Sequence, residues 1–460
     1  MIATIAHSLV PGRTVKATLV LVLSVGLFLA AVAARATPLS PAPASASAPA
    51  ASAALFPTNE ITRLVKELEY PDEVARDLIS LVGGWKDAHG HPVVTALRQS
   101  LTQAKQEAHP GRPPAEALAR VEQEAVKRLT HAIRRHISTY NASAFELTHI
   151  LKQQQAQCLS FTLLFHILGN AIGLSAGGLE TEVMRFESRG PLPGSESTTI
   201  NGHEACVVHY ANGTLALVDL TESPSRVMSK PFVLEEFFQV ADGYWQRKRG
   251  DTPAAWPQAL ATARRVDLRD ARGLLADLCN NRGTVLRNSG RNLEAISEHN
   301  KAIALNPKYS AAYNNRGAAY LGMGRQAEAL RDYRKAIELN PQSPLAYYNR
   351  AKLHRSSGRY IAAISDYTKV IEIIPECPEA YNGRGVARVS LNQQTGALED
   401  FGKAIEFNPK YAEAHFNRGM AYADLGRRDL ARKDLRKAVE LNPAGEAAVK
   451  AVLDKHKLNP

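Results

Sequence analysis

The sequence predicts an all-α solenoid of helical hairpins from about Ala276 onward, preceded by an α+β domain with a helical N-terminal support. Three observations predict it. Pro307, Pro341, Pro375, Pro409 and Pro443 recur at a constant 34-residue step, and Gly283, Gly317, Ala351, Gly385, Gly419 and Ala295, Ala329, Ala363, Ala397, Ala431 keep the same step. Between about Gln153 and Leu220 the pattern changes to an apolar stretch followed by two apolar segments flanking Ala211-Asn212-Gly213. Ahead of both lies an apolar run, Ala17 to Ala34, followed by a stretch of Pro, Ala and Ser.

A chain of 460 residues is too long for one ordinary core and suggests two or three domains. Arg13 and Lys16, the apolar run and Ala34-Arg35-Ala36 have the layout of a secretory signal peptide over residues 1–36, cut after Ala36; uncleaved, the same segment is an anchor. Either way the folded part lies outside the cytoplasm, periplasmic or secreted in the first case and membrane-anchored in the second. Residues 37–57 are a Pro/Ala/Ser-rich linker that cannot bury enough apolar surface to fold. Cys158, Cys206, Cys279 and Cys377 are too few for a disulfide framework. The formal net charge of +11 sits mostly in the C-terminal part, which favours acidic partners, without the basic and aromatic interleaving of a nucleic-acid groove.

Residues 58–150 read as a helical region, with Ile61, Leu64, Val65 and Leu68 at helical spacing and Pro71 opening another helix. His89, His91, His109, His131 and His136 lack metal-ligand spacing and are expected at the surface; no metal and no cofactor is implied. Residues 151–250 form the next domain. Cys158 opens an almost wholly apolar helix that closes near Gly173, where the positive helix end favours a thiolate. His203 to Tyr210 and Thr214 to Leu220 read as paired strands. A three-residue loop from Ala211 to Gly213 sets Asp219 opposite Ala205, on the face of His203, whereas a two-residue turn would separate them. His209 is the alternative base, and His166 reads as a core histidine.

Gln-Cys158-Leu-Ser-Phe, Gly202-His203 and Leu217-Val218-Asp219-Leu220 resemble the transglutaminase-like branch of the papain-type enzymes. Glu204 and Ala205 depart from the aromatic residues usual after the histidine. The resemblance implies a catalytic triad in which Cys158 attacks an acyl carbon, His203 carries the proton and Asp219 orients the imidazole. It implies a cysteine hydrolase or acyltransferase acting on peptide or protein substrates. The alternative is a non-catalytic interaction or scaffold protein in which this domain is a structural or peptide-binding module.

From Ala276 the columns define hairpins at 276–309, 310–343, 344–377, 378–411 and 412–445, with 446–460 as a capping helix. Small residues let paired helices approach, Gly290, Gly324, Gly358, Asn392 and Gly426 tolerate the left-handed turn, and Pro stops each second helix. This pattern resembles the tetratricopeptide repeat (TPR). The resemblance implies a superhelix whose concave face binds an extended peptide or protein. Asn281, Asn315, Asn349 and Asn417, interrupted by Gly383, resemble a ladder that holds a peptide backbone by its amides, or else pack between hairpins. The adjoining Arg282, Arg316, Arg350, Arg384 and Arg418 face either a ligand's carboxylates or acids of a neighbouring hairpin.

Overall fold

The structure, a computed structural model, describes residues 56–87, 89–107, 114–137, 139–140, 146–153, 155–156, 158–181, 203–212, 214–218, 238–241, 244–247 and 265–458. The signal or anchor segment lies outside them. Four helices open the described chain: α1 (Thr58–Glu67), α2 (Asp72–Gly83), α3 (Val93–Glu107) and α4 (Pro114–His136). In α1, Ile61, Leu64 and Val65 share one buried stripe, and α2 starts behind Pro71 with Asp72 and Glu73 against the positive helix end. The two-residue strands β1 (Thr139–Tyr140) and β2 (Gln155–Ala156) pair in parallel around α5 (Leu147–Gln153).

Helix α6 (Cys158–Ile172) is apolar on every side because it is packed on every side. Leu159, Leu163, Leu164, Phe165, Ile167 and Leu168 are wholly buried among α1, α3, α4, α5 and the sheet. That sheet has the order β5-β4-β3-β8-β7-β6, built from β3 (Ser175–Thr181), β4 (His203–His209), β5 (Leu215–Val218), β6 (Phe238–Ala241), β7 (Tyr244–Arg247) and β8 (Arg265–Arg269). β4 and β5 are antiparallel with Cys206 opposite Val218 and His209 opposite Leu215, the register of a three-residue loop.

Five helical hairpins follow: α7 (Ala271–Asn288) with α8 (Asn292–Leu305), α9 (Ser310–Gly322) with α10 (Gln326–Leu339), α11 (Pro344–Ser356) with α12 (Tyr360–Ile373), α13 (Pro378–Val389) with α14 (Gln394–Phe407), and α15 (Ala412–Asp424) with α16 (Arg428–Leu441). Helix α17 (Glu446–Lys455) closes the array. Helix α7 begins earlier than the repeat spacing alone indicates, because the Asp270 carboxylate caps it by accepting the Gly273 N–H at 2.8 Å. The turn column adopts positive φ throughout, from 58° at Asn392 to 77° at Gly290.

The support and the first hairpin share one core. Its buried residues run from Ile61 through α6 to Leu274, Leu275 and Leu278 of α7 and Ala312 of α9. An ion pair ties the same parts together: Glu146 accepts from Arg282 at 2.5 and 2.8 Å and from the Tyr70 hydroxyl at 2.6 Å.

The α+β transglutaminase-like expectation is corrected. Among the described residues seventeen α-helices stand against eight short strands. The apolar helix that suggested a catalytic centre is packed between α1, α3, α4, α5 and the sheet, which accounts for its composition without chemistry.

Candidate functional site

The first helices of the hairpins carry two adjacent columns. The four Asn of the ladder column are half-buried, and the three that follow a preceding hairpin donate their amides to an Asn of it: Asn315 to Asn280 at 3.1 Å, Asn349 to Asn314 at 2.9 Å, Asn417 to Asn382 at 2.9 Å. Asn280, Asn314 and Asn382 are themselves buried. One end of each amide is thereby fixed in the inter-hairpin seam. The carbonyl oxygens of Asn349 and Asn417 accept no hydrogen bond among the described residues. The break at Gly383 is steric: a Cβ there would lie 2.5 Å from the Tyr367 ring.

The arginine column points elsewhere. Arg316 reaches Asp332 at 2.8 and 2.7 Å, and Arg350 reaches Asp366 at the same distances. Arg384 reaches Asp400, and Arg418 reaches Asp434 at 2.6 and 2.8 Å. Each carboxylate is buried and sits sixteen residues on, in the second helix of the same hairpin rather than the neighbouring one. Tyr313, Tyr347 and Tyr381 lie beneath the guanidinium groups at 5.3, 5.6 and 5.5 Å from ring centroid to carbon. Burial pulls the Asp434 carboxyl upward, but hydrogen bonds from Arg418 and His415 outweigh it and hold the group below the usual carboxylate range. These arginines are committed to the hairpins. Arg282 is the exception, taken by Glu146.

The sequence missed two features that it contains. Asp332, Asp366, Asp400 and Asp434 keep the repeat step and could have been matched to the arginines by their constant offset. His299 stands in the column of Tyr333, Tyr367 and Phe401, fully buried, with neither ring nitrogen partnered.

Cys158 does open α6 and His203 opens β4, while Asp219 lies outside the described residues. His166 donates through Nδ1 to the Ala176 carbonyl, 2.8 Å away, within the core, and burial lowers its pKa. His136 is not a surface residue: it is half-buried and stacks on Trp85 with centroids 4.8 Å apart. His89, His91 and His131 are exposed, and His109 lies outside the described residues.

The reading of the chain as a cysteine hydrolase or acyltransferase with a catalytic triad is corrected as well. Among the described residues no catalytic triad supports that chemistry. Burial pushes the Cys279 thiol up to about 11 and raises that of Cys377, the reverse of what a nucleophile needs. No group of three His, Cys, Asp or Glu that could hold a metal occurs among the described residues.

A stack of antiparallel helix pairs joined by buried inter-hairpin amides defines a helical-repeat solenoid. Comparison with known families places it further: the Tetratricopeptide repeat matches residues 310–343, 332–365 and 412–444, and the TPR repeat matches 283–324 and 385–426. The hairpins over residues 283–365 and 385–444 are tetratricopeptide repeats. Among solved structures, MamA is 25% identical over 36% of this chain and 96% of its own, with a TM-score of 0.33. YrrB, described as a TPR protein with an unusual peptide-binding site, is 22% identical over 39% and 90%, at 0.34. Pseudomonas aeruginosa PilF is 15% identical over 41% and 91%, at 0.36. None of the curated proteins matches the sequence.

Proposed function

We propose that this chain is an exported, non-catalytic interaction protein that holds a protein or extended peptide along the asparagine column of its repeats. The observation that carries the reading is the half-engaged amide: Asn349 and Asn417 anchor their NH2 groups in the seam and keep a carbonyl oxygen for a ligand's backbone N–H. A fixed acceptor loses little freedom on binding. The support and sheet serve as the structural base of the array through the core shared with α7.

The test is fluorescence binding of the full chain to an immobilised library of extended peptides. Replacing Asn281, Asn315, Asn349 and Asn417 by Ala removes the contacts, each worth about 1 kcal/mol, or roughly fivefold in affinity. Circular dichroism should show unchanged helicity. Undiminished capture by the quadruple variant would leave the column a packing role alone.

A further inference from the structure

The last hairpin carries a second polar cleft, separate from the asparagine column. It encloses about 620 Å³ and is lined by Arg418 of α15 and by Arg432, Lys433, Asp434, Arg436 and Glu440 of α16. Arg418 follows Asn417 by one residue, a rotation of about 100° around the helix, so the cleft opens away from the ladder side chain.

Most of its charges are already matched. Arg418 holds Asp434, Arg432 donates through Nε to the Leu458 carbonyl at 2.7 Å, and Lys437 holds Glu440 at 2.7 Å. Lys433 and Arg436 are exposed and have no partner among the described residues. Three residues apart, they share one helix face.

The repeat explains why they are left over. At the Arg436 step, Asn300 receives the next hairpin's Arg316 at 2.7 Å and Thr368 receives Arg384 at 3.1 Å. That position therefore faces the following first helix. After α16 the following helix carries Val452 at the arginine step, and α16 itself has an arginine where a neutral acceptor stood. The third and fourth hairpins hold Ser365 with Thr368, and Glu399 with Gly402, at the Lys433 and Arg436 steps. Arg331 and Arg334 of the second hairpin are the one other cationic pair at these steps.

We infer that this cleft is a docking site for a short acidic peptide segment of a partner, with its carboxylates on Lys433 and Arg436. The rim selects this occupant. Asp429, whose side chain is 98% exposed, and Glu440 bracket the two cations on the same helix, eleven residues or about 16 Å apart. Flanking negative charge repels a continuous polyanion or an anionic membrane sheet, and admits a ligand with two or three carboxylates between neutral residues.

The probe is a fluorescein-labelled peptide carrying Asp-Glu-Glu between Gly-Ser flanks, titrated with the full chain at low salt and read by anisotropy. Its Asn-Gln-Gln counterpart is the control. The acidic peptide should bind with an affinity that falls as salt rises, and the control should not. Lys433→Glu with Arg436→Glu should weaken binding at least tenfold; both side chains are exposed, so helicity should be retained. Arg331→Glu with Arg334→Glu makes the same change in net charge and should alter affinity less than twofold. Asn349→Ala with Asn417→Ala should leave it unchanged, which separates this site from the ladder. Equal losses from both charge-reversal pairs would reduce the effect to net charge and overturn the proposal. So would binding indifferent to Lys433 and Arg436, or tighter Lys433-dependent binding to phosphatidylglycerol vesicles than to the peptide.

Discussion

His299→Phe should make the protein more stable and flatten its response to acid. His299 is wholly buried, its ring nitrogens have no partner, and burial together with the nearby Arg287 and Arg316 lowers its pKa to about 3. An unfolded chain binds that proton near pH 6.5, whereas the folded one resists it. The stability associated with keeping the ring neutral is therefore complete above about pH 6.5 and is lost as pH falls from there toward 3. Between pH 7 and pH 5 the loss is about 2 kcal/mol, at roughly 1.4 kcal/mol for each pH unit below the unfolded pKa. Phenylalanine fits the site: a Cβ built on Gly283 lies 2.6 Å from the His299 ring, as one on Gly385 lies 2.6 Å from Phe401. The variant also removes a stranded polar group, a gain of about 1–3 kcal/mol at neutral pH. Urea unfolding followed at 222 nm, at pH 7 and pH 5, compares the two chains. Equal losses of stability in wild type and variant between those pH values would refute the reasoning.

Gly385→Ala drives a methyl into the Phe401 ring at 2.6 Å and should lower stability by about 1–3 kcal/mol, read as an earlier urea midpoint. Arg350→Met strands the buried Asp366 carboxylate and should cost about 3 kcal/mol, while peptide capture by the remaining folded protein stays intact. Expression in an exporting host should yield a mature chain beginning at Thr37, measured by intact mass; a chain that keeps Met1 and stays membrane-bound points to the anchor.

The hairpins were legible because their constraints are local and repeated. The turn column needs left-handed backbone and the Gly385 column needs room for a ring from the partner helix, so residue type recurs wherever the geometry does. The strand register at Cys206 and Val218 likewise follows from one short loop. What the sequence hides is long-range. Nothing near Arg282 announces that its acid is Glu146, 136 residues earlier, nor that β8 enters the sheet between β3 and β7. The reading of the chain as a cysteine hydrolase or acyltransferase was corrected for a related reason. An all-apolar helix with a polar start has the composition that packing on every side requires, here by four helices and the sheet, and that composition alone does not announce chemistry at its first turn. The half-engaged Asn amides lie between these cases: their column was visible, but the seam partners Asn280, Asn314 and Asn382 emerge only when hairpins stack.

The borrowed carboxylate sets a direction for melting. In a linear array each repeat is held by its neighbours, and terminal units fray first. Opening the first hairpin here would also strip Leu274, Leu275 and Leu278 from the core around α6 and break the pair of Arg282 with Glu146. The opposite terminus is guarded by the single short helix α17, anchored by Val449, Leu458 and the Arg432 bond to the Leu458 carbonyl. Unzipping therefore starts at the carboxyl-terminal end and runs backward, so the hairpin bearing Lys433 and Arg436 exchanges its amides first and the hairpin bearing Arg282 last.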